Sequence, residues 1–250
     1  MKLVAFFIVL SWNAFNRTYG QIVNIENKHI VNDTTGWAGN VDGSFSVVQN
    51  KLMLFGTSFR SRMQYKAKND FVLWINDFAY TGSKQVVYNN TGMSHLRYAH
   101  RIYKGLKWES FTQVQYNQIL SQRLRAIIGT GLRLKTIENK NLKSFVGIST
   151  FYEYEVLSNP TIFHNDLRGS SYLSWFVNPE NKFSFSGTLY YQPLWMNFKD
   201  YRIMLQTSIS FPLFKKLDLK FETNVQYDAK PPADVLNLIF SSSFGLSYKF

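Results

Sequence analysis

LNLIFSSSFGLSYKF, residues 236–250, is the stretch that decides the fold. Its even positions Leu236, Leu238, Phe240, Phe244, Leu246, Tyr248 and Phe250 are apolar or aromatic, with Ser242 the exception. The odd positions Ser241, Ser243, Gly245, Ser247 and Lys249 are small or polar. Successive Cβ atoms of an extended chain point to opposite sides, so a period of two over this length is a strand with one oily and one wet face. The alternation runs up to Phe250, the last residue, and the expectation is that lipid, rather than a later element, covers the oily face. The competing reading is the edge strand of an exported soluble β-sandwich that binds a ligand.

The same pattern extends upstream to Trp37. Trp37, Val41, Phe45 and Val47 oppose Asn40, Asp42, Ser44 and Ser46, and Met53, Phe55, Phe59, Met63 and Tyr65 oppose Arg60, Arg62, Gln64 and Lys66. Residues 71–80 read as a strand of unclear face, with a bulge expected near Asn76 and Asp77, where the period breaks. Leu96, Tyr98 and Ile102 alternate with His95, Arg97 and Arg101, and Leu124, Ala126 and Ile128 with Arg123, Arg125 and Gly129. Val146, Ile148, Tyr152 and Tyr154 oppose Gly147, Ser149, Glu153 and Glu155, and Tyr201, Ile203 and Leu205 face away from Arg202 and Gln206. Counting the terminal strand, about twelve runs result. Each is about ten or more residues long, enough to cross a hydrocarbon layer at a tilt of about 45°, whereas strands of a soluble sandwich are typically about five or six. The expected fold is all-β, an antiparallel transmembrane β-barrel of about twelve strands over 37–250.

Bulk composition agrees. Aromatic residues make up 17% of the chain, yet mean hydropathy is −0.20, as suits strands whose apolar residues alternate with polar ones. With no Cys, a disulfide scaffold and thiolate metal sites are excluded. The formal charge is +12, but no basic helix or Arg/Lys run accompanies it, so nucleic acid is not an expected partner. Residues 1–20 have Lys2, the apolar run 3–10 and a small residue at Gly20, the form of a secretory signal peptide cleaved near Gly20. Residues 21–36 then read as a periplasmic lead-in.

An even strand count places both ends of the barrel on the periplasmic side. The periplasmic turns are then 67–70, 103–107, 136–143, 178–182 and 212–216, short and rich in Lys, and the outer loops include 81–91, 157–166, 193–199 and 228–235. Tyr152, Tyr154, Tyr191, Tyr201 and Tyr227 fall near the outer ends of strands, and Trp108, Trp175, Phe183, Phe211, Tyr248 and Phe250 near the inner ends. Two aromatic belts are expected at the two interfaces.

The pieces QIVNIEN at 21–27, YEYE at 152–155, RGSSYLSW at 168–175, YYQPL at 190–194, DYR at 200–202 and YDAKPP at 227–232 carry a resemblance to the salt-induced outer-membrane proteins of Gram-negative bacteria (domain of unknown function family 481). The resemblance covers nearly the whole mature chain and implies an outer-membrane barrel; it brings no catalytic residues with it. The terminal aromatic resembles the C-terminal signal of such barrels, so Phe244, Leu246, Tyr248 and Phe250 are the expected assembly signal. The implied partners are outer-membrane lipid and lipopolysaccharide, the barrel-assembly machinery and periplasmic chaperones.

No constellation for catalysis stands out. His29, His95, His100 and His164 show no metal-ligand spacing, and no nucleophile elbow or phosphate loop is present. No metal, cofactor or enzymatic activity is expected. An outer-wall phospholipase would need an exposed Ser and His, for which His100 and Ser110 are the one candidate pair if the strands reflect through Lys104-Gly105-Leu106. The polar face is more informative. Arg97, Arg101, Glu109, Arg123, Arg125, Glu153, Glu155, Arg168, Asp200 and Arg202 are expected to form a belt of alternating charge in the lumen. Reflection about the connections puts Arg101 opposite Glu109 and Glu155 opposite Arg168. Such a belt either closes a small barrel by pairing or forms a selective constriction, so a structural or stress-related barrel and a small channel for ions or polar solutes both remain open.

Overall fold

The computed structural model describes residues 35–49, 52–158, 161–179, 182–214, 217–231 and 235–248. The expected signal peptide, nearly all of the lead-in, Phe250 and the side chains of Leu246 and Tyr248 lie outside the described residues. Twelve strands follow in order: β1 Gly36–Gln49, β2 Met53–Lys66, β3 Asp70–Gly82, β4 Val87–Tyr103, β5 Leu106–Asn117, β6 Gln122–Glu138, β7 Leu142–Leu157, β8 Phe163–Val177, β9 Ser184–Leu194, β10 Asn197–Phe214, β11 Leu217–Asp228 and β12 Leu238–Tyr248. Each pairs antiparallel with the next in a single sheet of sequence order. A sandwich needs two facing sheets; here all twelve strands belong to one.

The sheet is strongly curled. Strands β5 and β12 are seven spacings apart, about 34 Å along a flat sheet, yet residues of both, with others from β6, β7, β8, β10 and β11, line a single cavity. The concave side is therefore the lumen, and the alternation sorts the residues as the sequence requires. On β6, Arg125, Ile127 and Arg133 are buried inward, while Ile128, Leu132 and Leu134 are exposed on the outer wall.

The outer wall carries its own chemistry. Three of its Trp N–H groups find partners within the wall: Trp74 Nε1 donates to Ser94 Oγ at 3.1 Å, Trp108 Nε1 to Thr130 Oγ1 at 2.8 Å and Trp195 Nε1 to Thr150 Oγ1 at 3.0 Å. Thr112, Thr130 and Thr150 in turn donate to the backbone carbonyls of Ile127, Glu109 and Arg168. A wall in hydrocarbon has to satisfy its polar groups internally, and a wall in water does not. Tyr191, Tyr201 and Tyr227 stack in a row with centroids 5.8 and 5.9 Å apart, and Trp175–Phe185 and Phe183–Phe211 pack at 6.0 and 6.1 Å towards the opposite end. These rings are members of the two expected belts; Phe250 and the side chain of Tyr248 lie outside the described residues.

Three expectations of local structure are corrected. Strand β3 runs without a break past Asn76 and Asp77, its irregularity lying at Thr81/Gly82. The period looked broken because Leu73 and Ile75 are apolar residues on the lumen side, 0% and 2% exposed, packed with Met93. The loops placed at 81–91 and 193–199 are much shorter, since β4 starts at Val87 and β9 and β10 are separated only by 195–196. Polar lumen residues such as Asn89 and Thr91 had masked the start of β4.

Candidate functional site: the lumen network

Glu153 is the centre of the lumen. It is 0% exposed and receives three guanidinium groups: Arg125 Nε at Oε1, Arg168 Nε at Oε2 (2.9 Å) and Arg202 Nη1 at Oε1 (2.8 Å). Alternation puts Glu153 and Glu155 inward on β7, Arg125 on neighbouring β6 and Arg168 on β8, and the curl brings Arg202 in from β10. Arg202 also binds Glu155 Oε2 at 3.2 Å and Asp228 Oδ2 at 2.9 Å. Arg168 donates to Asp200 Oδ1 at 2.9 Å and to Asp166 Oδ2 at 3.3 Å. Arg168 and Arg202 thus each bridge three carboxylates, and the groups form one plate.

A chain of amides extends the plate sideways. His95 Nδ1 meets Gln113 Oε1 at 2.9 Å, Gln113 donates to Gln115, Gln115 Nε2 to Gln122 Oε1 at 2.6 Å, and Gln122 to Glu155. This ties β4, β5, β6 and β7 to the carboxylates. A second cluster holds Glu109 between Arg97 (3.1 Å) and Arg133 (3.7 Å), with Arg133 lying 4.1 Å over the Phe145 ring.

Aromatic rings fill the lumen between the two charge clusters. Phe111 and Phe151 flank Gly129 on neighbouring strands, and Tyr172 and Tyr190 pack at 5.3 Å beside Met204. Their volume requires small partners. A Cβ at Gly147 would collide with the Tyr172 ring, and one at Gly129 would lie 2.5 Å from Phe111 and 2.6 Å from Phe151. What space remains is a cavity of about 40 Å³ among the rings and one of about 380 Å³ on the other side of the plate, with Arg125 in the wall of both. The larger cavity is bordered by residues of the β5–β6, β7–β8 and β11–β12 connections, including Leu120, Ile162 and Lys230.

Of the expected belt, the structure joins Arg125, Glu153, Glu155, Arg168, Asp200 and Arg202 in the plate, and Arg97 with Glu109 in the second cluster. Two members are not in it. Arg123 is exposed, because a register shift between Gln122 and Leu124 turns Gln122 inward and Arg123 out. Arg101 is exposed and stands opposite Lys107, not Glu109, because a bulge at 101–103 moves the centre of the β4–β5 hairpin. The pairing of Arg168 is corrected as well: its cross-strand neighbour is Phe151, Glu155 stands opposite His164, and the carboxylate that Arg168 reaches is Glu153.

The same bulge separates the candidate hydrolytic pair. Ser110 faces Tyr98, His100 faces Trp108, and His100 Nδ1 is engaged by Asp70 Oδ1 at 2.8 Å. Among the described residues no group of three or more His, Asp or Glu is placed to hold a metal ion. Of the expected assembly signal, Phe244 is exposed on the outer wall opposite Phe221. Asp166, Asp228, Arg133 and the Gln chain were missed by the sequence reading. Asp166 and Asp228 had been placed in loops, although the period of two running on from Arg168 and Gln226 reaches both.

A family model described as "Protein of unknown function, DUF481" matches residues 40–250. No curated protein matches the chain. Among solved structures, the NanC porin aligns with 12% identity over 85% of this chain and 99% of its own, at a TM-score of 0.47. The KdgM porin aligns with 9% identity over 86% of this chain and 99% of its own, at a TM-score of 0.38.

Proposed function

We propose, for a chain that belongs to the DUF481 family of proteins of unknown function, the role of an outer-membrane β-barrel with a closed lumen, a structural or stress-related element of the membrane rather than an open pore or an enzyme. The observation that carries this reading is the plate centred on Glu153, in which three buried Arg join strands β6, β7, β8 and β10 across the lumen. An open aqueous pore leaves its charges hydrated, and wide ones use about 16 to 18 strands. Here Arg125, Glu153 and Arg168 are at most 3% exposed, and Phe111, Phe151, Tyr172 and Tyr190 fill the space beside them.

The hydrogen bonds that Trp74, Trp108 and Trp195 make within the outer wall support lipid as its partner, and with twelve strands the ends of β1 and β12 share one side, which on this reading is the periplasm, where export and the assembly machinery would deliver the chain. Planar-bilayer recording of the refolded protein tests the reading. The expected result is no steady conductance; a stable, ion-selective conductance in the unaltered protein would overturn it. One observation favours a narrow channel as the second reading: Arg125 is common to the walls of both cavities, so its displacement would join them.

A further inference from the structure

Asp70, Tyr98 and His100 form a polar cluster on the outer wall that has no part in closing the lumen. Asp70 Oδ1 accepts from the Tyr98 hydroxyl at 2.6 Å and from His100 Nδ1 at 2.8 Å. We propose that the cluster is a headgroup site for a phospholipid with a primary ammonium, phosphatidylethanolamine, whose ammonium sits on the Asp70 carboxylate and whose phosphate turns to Lys68. The inference rests on the lipid-facing reading of the outer wall and not on closure of the lumen.

Position comes first. His100 stands opposite Asp70 of β3 on one side and opposite Trp108 of β5 on the other. Alternation along β4 buries Arg97 and Ala99 on the lumen side and leaves Leu96, Tyr98 and His100 outside. Asp70 is the first residue of β3, at the end of the sheet where β1 begins, since Gly36 pairs with Lys66 and Lys66 with Phe71. On the reading above that end is periplasmic, where the leaflet is phospholipid rather than lipopolysaccharide. Tyr98 and Trp108 pack edge to face with centroids 6.0 Å apart, amphipathic rings of the kind that sit at headgroup depth.

Charge marks the place. The outward positions of β2, β3, β4 and β5 hold no other Asp, Glu, Lys, Arg or His. Neither hydrogen bond at Asp70 calls for a charge: an amide oxygen would accept both, and a neutral imidazole donates through Nδ1 as well as a protonated one. The carboxylate has no Lys or Arg partner among the described residues, its Oδ2 is left over, and its side chain is 41% exposed. An uncompensated carboxylate on a wall that faces lipid is costly, and a cation from the headgroup layer removes that cost.

Headgroup chemistry narrows the occupant. A glycerol headgroup brings a phosphate and no cation. A trimethylammonium has no N–H to donate to Oδ2, and because Tyr98 and Trp108 touch one another they leave no aromatic cage between them to hold it. A primary ammonium carries three donors, as a Lys side chain does. Lys68 is exposed in the β2–β3 turn, two residues before Asp70, and its flexible stem lets the charge stay in the headgroup layer. Carboxylate and ammonium of the protein thus match ammonium and phosphate of the lipid.

The test is native mass spectrometry of the full chain refolded in detergent micelles, with dioleoyl lipids bearing ethanolamine, choline or glycerol headgroups added in turn. One ethanolamine lipid should be held about fivefold more tightly than either of the others, the worth of one exposed ion pair. Asp70→Asn keeps the acceptor for Tyr98 and His100 and should bring the ethanolamine lipid down to the level of the choline lipid, with heat-modifiable mobility on gels showing that the variant still folds. Equal binding of the three lipids by the unaltered protein overturns the proposal and leaves the lipid-facing wall standing. So does an Asp70→Asn protein that folds and keeps the preference. If that variant does not fold, the comparison of the three lipids on the unaltered protein decides alone. A protein that binds none of the three and stays out of vesicles made from them refutes the lipid-facing wall and the headgroup site with it.

Discussion

Replacing Glu153 by Gln keeps the shape of the side chain and removes the one charge on which three guanidinium groups converge. The cost follows from what each Arg keeps. Arg168 retains Asp166 and Asp200, and Arg202 retains Glu155 and Asp228. Arg125, whose ion-pair partner among the described residues is Glu153, retains none. One cation is therefore stranded, not three. Breaking one partner of a buried pair costs about 3 to 5 kcal/mol, and a single such increment is expected, read as the change in unfolding free energy in urea titrations of the protein in lipid vesicles followed by Trp fluorescence. Arg125→Met in the Glu153→Gln background removes the stranded charge and should restore more than half of the loss, a coupling that the double-mutant cycle isolates. A loss below about 1 kcal/mol, as for hydrated pairs, or no recovery on adding Arg125→Met, would refute the closed plate.

Four further outcomes are expected. Leu205→Arg, on the outer wall opposite Leu189 and Val225, should cost about 2 to 4 kcal/mol if it lies at the bilayer midplane, and Gln206→Ala on the lumen side far less; equal tolerance in the same urea assay would argue against lipid on that wall. Arg125→Ala removes the wall common to both cavities and should produce a leak in bilayer recordings, selective for cations because the remaining carboxylates Glu153, Glu155, Asp166, Asp200 and Asp228 outnumber Arg168 and Arg202; a silent variant would mean that the aromatic layer seals the lumen without it. Gly147→Val drives methyl groups into the Tyr172 ring and should destabilise by about 1 to 3 kcal/mol through overpacking, whereas an unchanged unfolding curve would show that the ring gives way. Deletion of Phe250 should reduce the heat-modifiable form in outer-membrane fractions while export continues, and unchanged levels of folded protein would remove it from the assembly signal.

The fold was legible because alternation is written along most of the length of nearly every strand. A residue on the wrong face is costly, so the period of two survives even where a strand such as β6 carries Arg, Gly and Ile on its lumen side. Bulges are not written in the same way. Ile102, Arg123 and residues 198–200 each add length to one strand of a pair without a distinctive composition. Reflection about a turn then fails by one or more positions, as for Arg101 with Glu109, and alternation carried past the shift at Gln122/Leu124 puts Arg123 on the wrong face. At β3 the error had another source. An apolar lumen side, Leu73 and Ile75, imitates a loss of periodicity when lipid-facing residues are apolar too.

The charge plate depends on something no pairwise reading contains, the curl of the sheet. Neighbouring strands can be paired from sequence, and Arg125 with Glu153 is such a pair. Arg202 with Glu153 passes over the two strands between them, β8 and β9, and no pairing of neighbours reveals it. Curl also decides what the surplus of polar residues does. On the outer wall Trp, Thr and Ser neutralise one another within a strand or two, which a flat sheet would also permit. In the lumen, Arg168 and Arg202 each draw carboxylates from strands that are not their neighbours. These contacts hold the curl as well as depend on it, and mutations in the plate should therefore loosen the barrel and open the lumen together.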